Sequence, residues 1–247
     1  MRLIFRQRTL LTSKLLVGRQ RDAADVCPPV SGTGVGGCKK DVDLSPRRSG
    51  NSGYHADLSA GSLMLPESRR VAGLLLRGPS EAEWDHAIRV ENILQKATLA
   101  TAVRQARLIR FRLAGMGGVA LDLVAHGDRE LAAQTLFAAA LSHSTLLRDF
   151  VRGVVIGHHR RLETYIQPRE WEAFLAECAA RDPAVTTWTA STRAKLLQVI
   201  LRILVEAKYL ESSRTLRLRC PPLHPQVRRL LQDLGHSDLI ATLELQA

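Results

Sequence analysis

Hydrophobic residues recur three and four positions apart along most of the chain after residue 53, which is the spacing of an amphipathic α-helix. One stretch, YLESSRTLRLR (209–219), instead alternates as a strand does, and it predicts two short strands around Ser212–Ser213. The expected fold is all-α, with one small β-hairpin. The predicted helices cover 65–76, a short segment around Trp84, 98–114, 119–126, 128–141, 144–157, Pro168 to Asp182, about Ala190 to Lys208, and 225–234.

Local signals mark several helix ends. Gly78 and Pro79 stop the first helix, and Ser80 with Glu83 forms a capping box for the next. Asp128 and Ser144 stand where N-cap residues are expected. The helix boundaries are therefore predicted by residue chemistry as well as by periodicity.

The helix predicted over 98–114 separates into an apolar and a polar side when residues 98–113 are wound at about 100° per residue. It contains four arginines and no acidic residue. An exposed helix face usually mixes charges, because like charges repel, so we expect this face to meet a partner. The apolar side carries Leu99, Ala102, Val103, Ala106, Ile109 and Leu113; Thr101, Arg104, Gln105 and Arg112 lie opposite, with Arg107 and Arg110 at the edges.

The helix predicted over 190–208 has a narrower polar stripe. Ser191, Lys195, Gln198 and Arg202 follow one another at i, i+4, i+7 and i+11, opposite a buried stripe of leucine and isoleucine. Such side chains hydrogen-bond phosphates and base edges. Arg193 points toward the buried side, so we expect it to pair with a carboxylate or a backbone group.

Both long helices follow a short tryptophan-containing helix, a break and a group of hydroxyl residues, which predicts two helix-turn-helix elements. In the second, the hairpin would form a wing. The predicted contacts with double-stranded DNA are Thr101, Arg104, Gln105, Arg107 and Arg112 in the first element, Ser191, Thr192, Lys195, Gln198 and Arg202 in the second, and Arg214, Arg217 and Arg219 in the wing. Two alternatives stay open: a protein-interaction module that uses the same faces, and RNA binding.

The charge is unevenly distributed. The net charge is +11, but residues 1–50 carry 10 Lys/Arg and 4 Asp/Glu, while residues 51–247 carry 25 and 20. With a mildly basic body, we expect modest DNA affinity, weak sequence preference and steep salt dependence. The four scattered cysteines and the absence of a long apolar run predict a cytoplasmic protein without disulfides or membrane spans. No dimerisation zipper is evident, so a monomer is expected.

Catalytic and metal-binding motifs are missing from the sequence. It contains no HExxH and no GxSxG, and no pair of carboxylates with an evident role. We therefore expect no enzymatic activity, no cofactor and no metal. The run HHRR (158–161) is interpreted as a solvated loop, Trp84, Trp171 and Trp188 as core anchors, and Cys178 as a buried thiol.

Four segments resemble the BrxA family, a core component of BREX (bacteriophage exclusion) phage-defence systems. The resemblance implies an all-helical protein with two helix-turn-helix elements beside positive surfaces, able to bind double-stranded DNA and without enzymatic activity. Methyltransferase or ATPase components of such systems are possible partners. The segments are GYHADLSAGSLMLPESRRVAGLLLRG (53–78), VENILQKATLATAVRQARLIRFRL (90–113), LLRDFV (146–151) and WTASTRAKLLQVILRILVEAKYLES (188–212).

The resemblance and the helix pattern together divide the chain into four regions. Residues 1–52 lie outside the family pattern and are either a disordered basic extension or the product of a mis-called start, of which we favour the second. The other regions are 53–127, with the first helix-turn-helix; 128–167, with connecting helices; and 168–247, with the winged second helix-turn-helix.

Overall fold

The computed structural model describes residues 53–246, and these residues confirm the predicted all-helical class. Within this range no β-strand extends beyond isolated bridges. Besides the α-helices there are two 3₁₀ turns, Ala56–Ala60 before the first α-helix and Pro183–Thr187, and a π-helical segment, Val151–Val155. The helices are α1 (Leu65–Leu76), α2 (Glu81–Arg89), α3 (Leu99–Ala114), α4 (Gly117–His126), α5 (Arg129–His143), α6 (Thr145–Phe150), α7 (Ile156–Arg160), α8 (Glu170–Arg181), α9 (Ala190–Glu206), α10 (Pro225–Asp233) and α11 (Ser237–Leu243).

The predicted capping chemistry is confirmed. The Ser80 hydroxyl accepts from the backbone N–H of Glu83, and the Glu83 carboxylate accepts from the Ser80 N–H at 2.7 Å. The carboxylate of Asp128 accepts from the N–H of Leu131 at 2.8 Å, which satisfies a free amide at the start of α5. Ser144 caps α6 in the same way.

Several short elements differ from the prediction. The helix expected over 144–157 is present as one continuous helical run, in which a π-helical segment, Val151–Val155, separates α6 from α7, and it ends three residues later than predicted, at Arg160. α11 and the two 3₁₀ turns were not predicted, because segments of five to seven residues contain too few turns to show a helical period.

Helix α5 lies at the centre of the core. Its residues 131–141 are all buried, and a helix that is buried all round must be enclosed by others. Helices α1, α3, α4, α10 and α11 pack against it. The tryptophan predictions are confirmed: Trp84 and Trp171 are buried, and the partly buried Trp188 packs against the core.

The predicted hairpin forms only as isolated bridges. Leu210 pairs with Leu218, and the N–H of Glu211 donates to the carbonyl of Arg217 at 2.9 Å. A third segment joins them, since the N–H of Leu218 donates to the carbonyl of Thr164 at 2.8 Å. Residues 209–219 therefore turn back on themselves, but their pairing is too short to form strands.

The predictions for residues 1–52 lie outside the described residues, and the region boundaries at 127 and 167 stay predictions. Among residues 53–246, no helix is both long enough and apolar enough to cross a lipid bilayer.

Candidate nucleic-acid interface

Helix α9 begins at a hydroxyl-rich cap. The Thr189 hydroxyl accepts from the N–H of Thr192 at 3.2 Å and lies 2.9 Å from the hydroxyls of both Ser191 and Thr192. Thr192, a predicted contact residue, is half-buried and takes part in this cap. The cap fixes the first turn of the helix and therefore the position of the side chains that follow.

The four residues of the predicted α9 stripe are all exposed. Lys195 Nζ donates to Gln198 Oε1 at 3.0 Å, which holds the two side chains together on the surface. The opposite side of the helix is buried through Leu196, Val199, Ile200, Ile203 and Leu204, and no large apolar side chain of α9 is exposed. We call Ser191, Lys195, Gln198 and Arg202 the α9 stripe.

Arg202, the last residue of the α9 stripe, has a side chain that is 72% exposed. Its Nε donates to Glu206 Oε1 at 3.1 Å. The Glu206 carboxylate also accepts from the Ser62 hydroxyl and from the N–H of Leu63, both at 2.8 Å. Because Glu206 keeps these two donors, the Arg202 guanidinium can turn toward an external anion without leaving Glu206 unpaired.

The predicted wing arginines follow α9 closely. Lys208, with φ at 66°, ends the helical run, and the N–H of Tyr209 returns to the carbonyl of Leu204. Arg214 and Arg217 are exposed and make no ion pair within residues 53–246, whereas Arg219 pairs with Glu211 at 2.7 Å.

Positive charge is concentrated in this part of the chain. Residues 188–219 contain seven Lys/Arg and two Glu, so their net charge of +5 equals that of residues 51–247 as a whole. A local excess of positive charge attracts polyanions even when the rest of the surface is balanced.

Helix α3 presents fewer free charges than its sequence suggests. The Arg110 guanidinium pairs with Glu81 and lies 4.7 Å over the Trp84 ring, so it joins α3 to α2. This hydrogen-bonded contact raises the pKa of Arg110, although partial burial opposes the shift, and lowers that of Glu81. Only Arg104 and Arg107 are exposed arginines on this helix, and neither makes an ion pair within the described residues.

The prediction that Arg112 is exposed and contacts DNA was wrong. Its side chain lies in the core with 4% exposure, and its guanidinium donates to the carbonyls of Ser62 at 2.5 Å and Gly61 at 2.9 Å. Burial lowers its pKa to about 10, against the opposing effects of nearby Asp57 and Glu206. The helical period places Arg112 beside buried Leu108 and Ile109, and its acceptors lie 50 residues earlier in the chain.

Two other predicted α3 contacts are half-buried. Thr101 completes the N-cap, since its N–H donates to the Thr98 hydroxyl at 3.3 Å. Gln105 Oε1 is buried and has no hydrogen-bond partner among the described residues. The apolar side is also rotated from the prediction, because Leu99 is 51% exposed while Leu108 is buried.

The interpretation of HHRR as a solvated loop was wrong for His158, which is buried. Its Nε2 lies 2.7 Å from Glu170 Oε1, and its Nδ1 lies 2.6 Å from Glu163 Oε2 without hydrogen-bond alignment. The sequence does not predict this cluster, because Glu163 and Glu170 follow His158 by five and twelve residues and lie outside its helix. The expected pairing of Arg193 is confirmed by Glu172, 3.8 Å away.

The chain is similar in sequence to proteins that all carry the same family name. A sequence model of the family BrxA matches residues 52–235. A BREX protein BrxA from Paramagnetospirillum magneticum (strain ATCC 700264 / AMB-1) is 41% identical over 192 residues, covering 78% of this chain and 96% of the relative. A BREX protein BrxA from Escherichia coli O9:H4 (strain HS) is 35% identical, covering 76% and 88%.

A solved structure has the same fold. The crystal structure of an uncharacterized protein from Magnetospirillum magneticum superposes with a TM-score of 0.73 at 40% sequence identity. The match covers 78% of this chain and 98% of the other.

Proposed function

The chain belongs to the BrxA family of BREX phage-defence systems, and we propose that it serves there as a non-catalytic protein that binds double-stranded DNA. The proposed contact surface consists of the α9 stripe and the three arginines of residues 209–219. Helix α8, the 3₁₀ turn Pro183–Thr187 and α9 would act as a helix-turn-helix, with α9 as the recognition helix.

The observation that carries this proposal is the exposed α9 stripe itself. Two cationic and two neutral hydrogen-bonding side chains lie in line on a helix whose large apolar side chains are buried or packed against the core. A helix with this surface can enter the major groove without burying apolar groups against phosphates, and its polar side chains can reach base edges. Thr192 would contribute through the first turn.

The residues after α9 would act as a wing that holds the backbone. Arg214 and Arg217 have no carboxylate partner within the described residues, so their guanidinium groups can bind phosphates without first breaking an ion pair. Arg219 would exchange its surface contact with Glu211 for a phosphate, at little cost because exposed ion pairs contribute little to stability.

Modest, salt-sensitive and weakly sequence-specific binding is expected from this surface. Two stripe cations and three wing arginines allow about five phosphate contacts, each of which releases counterions on binding. We expect a protein that acts as a monomer in the cytoplasm.

The alternative function is a protein-interaction module that docks on other BREX components without touching DNA. Family membership makes such components plausible partners, and exposed arginines also suit acidic protein surfaces. On helix α3, only Arg104 and Arg107 are exposed arginines, and Thr101 and Gln105 are half-buried. The prediction that Thr101, Arg104, Gln105 and Arg107 contact DNA is therefore weaker than the same prediction for the α9 stripe.

Fluorescence anisotropy with a labelled 20-base-pair duplex of random sequence tests the proposal. The full chain should bind at low salt, and unlabelled duplex DNA should displace the probe more effectively than a structured RNA hairpin of equal charge. Binding that the RNA displaces better would favour RNA as the ligand. No binding at low salt would overturn the proposal and leave the protein-interaction alternative.

A further inference from the structure

The exposed face of α3 has a chemistry that the α9 stripe lacks. Leu99 is 51% exposed and Phe111 is 37% exposed, whereas α9 exposes no large apolar side chain. Val90, which directly follows α2, is 70% exposed. The two long helices resemble each other in sequence pattern, but their surfaces would suit different partners.

A groove of about 390 Å³ lies on this face of α3. Leu99, Ala100 and Val103 supply its apolar lining. Three arginines also line it: Arg89 from the end of α2, and Arg104 and Arg107 from α3. Because Leu99 is the first residue of the helix, the apolar lining extends to the N-terminus of α3.

The charges of the groove are largely unbalanced. Arg89 shares its charge with Asp85, 3.3 Å away on the same helix. Arg104 and Arg107 make no ion pair within residues 53–246, and the nearby Arg110 is already neutralised by Glu81. A partner that covers the groove must therefore supply both apolar surface and negative charge.

We propose that this groove, which we call the α3 groove, docks an acidic amphipathic helix or strand of another protein. Apolar side chains of the partner would bury Leu99 and Val103, while its carboxylates would pair with Arg104 and Arg107. Duplex DNA fits less well, because its phosphates would neutralise the arginines but would leave the exposed leucine against a polar backbone. The proposed docking surface is thus on α3, whereas the main proposed DNA surface is on α9.

Peptide selection on the full chain tests this without a known partner. A phage-displayed library of random 16-residue peptides is selected for binding, and enriched peptides are synthesised. We expect them to combine Leu, Ile or Phe with Asp or Glu at helical or alternating spacing. The affinity of one selected peptide is then measured by fluorescence anisotropy for the wild-type chain and its variants.

Three variants locate the binding site. Leu99→Ser removes apolar lining while leaving the Thr98 cap, and Arg104→Ser with Arg107→Ser removes the free charges; each should weaken peptide binding roughly tenfold. Phe111→Ser is the matched control, since it removes an exposed apolar side chain of the same helix outside the groove, and it should leave the affinity unchanged. Circular dichroism melting checks that each variant is folded.

Duplex DNA binding is measured on the same variants, so that this proposal and the proposed function can fail separately. Leu99→Ser should leave DNA affinity unchanged. Failure to enrich acidic, apolar peptides, or peptide binding that Leu99→Ser does not weaken, would overturn the docking proposal. A Leu99→Ser loss of DNA affinity equal to the loss for peptide would also overturn it, by making the groove a DNA site.

Discussion

Arg112 and Glu206 are charged residues that hold the same short segment, Gly61 to Leu63, from two different helices. Arg112 of α3 donates to the carbonyls of Gly61 and Ser62, and Glu206 of α9 accepts from the Ser62 hydroxyl and the N–H of Leu63. A buried charge is tolerated only where hydrogen bonds replace its lost hydration. The two residues therefore join the two long helices through this segment.

Replacing Arg112 by methionine should destabilise the protein by about 2–4 kcal/mol, because two buried carbonyls lose their donors and Glu206 loses a nearby positive charge. Urea denaturation measures the change. Arg107→Met, on the exposed face of the same helix, is the control and should stay within about 0.5 kcal/mol of wild type. Equal stabilities for the two variants would show that the Arg112 contacts do not support the fold.

The lowered pKa of His143 predicts how the folding stability of the protein depends on pH. Burial lowers its pKa from the usual 6.5, and nearby Arg112 and His55 act in the same direction, while Asp57, 3.8 Å away, opposes them. The unfolded chain therefore binds more protons than the folded one just below pH 6.5, so stability falls as pH decreases through this range.

The variant His143→Gln lacks this ionisable group, so the part of the stability loss at low pH that His143 causes should disappear. Melting temperatures measured from pH 7.5 to 5.5 should decline less steeply for the variant than for wild type. Parallel declines would mean that His143 does not contribute to the acid sensitivity.

Individual side chains were the hardest feature to predict from sequence. The four stripe residues of α9 were placed correctly on an exposed face, because the apolar period of that helix is regular. The burial of Arg112 could not be predicted, because its hydrogen-bond acceptors are backbone carbonyls distant in sequence. An arginine with no acceptor nearby in the sequence is expected to be exposed. His158 was misjudged for the same reason, since Glu163 and Glu170 meet it only in the folded chain.

Among the helical elements, length determined how well each was predicted. α1 and α3 agree with the prediction to within one residue at each end, and α2 begins at the predicted capping box. In contrast, α11 was missed, since it spans seven residues and no side chain caps its start. The region 209–219 alternates as a strand does, but its pairing is limited to single bridges, Leu210 with Leu218 and Tyr165 with Arg217.

Thr189 is predicted to be the residue that fixes the start of α9. Thr189→Ala removes the hydroxyl that accepts from the N–H of Thr192, and it should cost about 1 kcal/mol in unfolding free energy. Ser191→Ala changes a hydroxyl two residues later without uncapping the helix, so it should stay within about 0.5 kcal/mol of wild type. Thermal denaturation measures the stability of both variants. A larger loss of stability for Ser191→Ala than for Thr189→Ala would contradict the assignment of Thr189 as the cap.

At the scale of the whole molecule, charge and apolar surface are divided between two long helices. The net charge of residues 51–247 equals that of residues 188–219, where the α9 stripe and Arg214, Arg217 and Arg219 lie. The exposed apolar side chains of the long helices are on α3, beside Arg104 and Arg107, which make no ion pair within residues 53–246. This division is consistent with one surface for duplex DNA and another for a protein partner.

If the α9 stripe contacts DNA phosphates, as proposed, its cations contribute to the salt dependence of duplex binding. Lys195→Ala with Arg202→Ala removes two stripe cations, while Arg77→Ala with Arg229→Ala removes two exposed arginines that lie outside α9 and residues 209–219. Anisotropy titrations between about 50 and 200 mM salt give the slope of log K against log salt for each.

We expect weaker binding and a slope reduced in magnitude by about 1–2 for the stripe variant, because up to two fewer phosphates are neutralised. The control variant should keep a slope close to that of wild type. A stripe variant with the wild-type slope would contradict the assignment of this face to DNA.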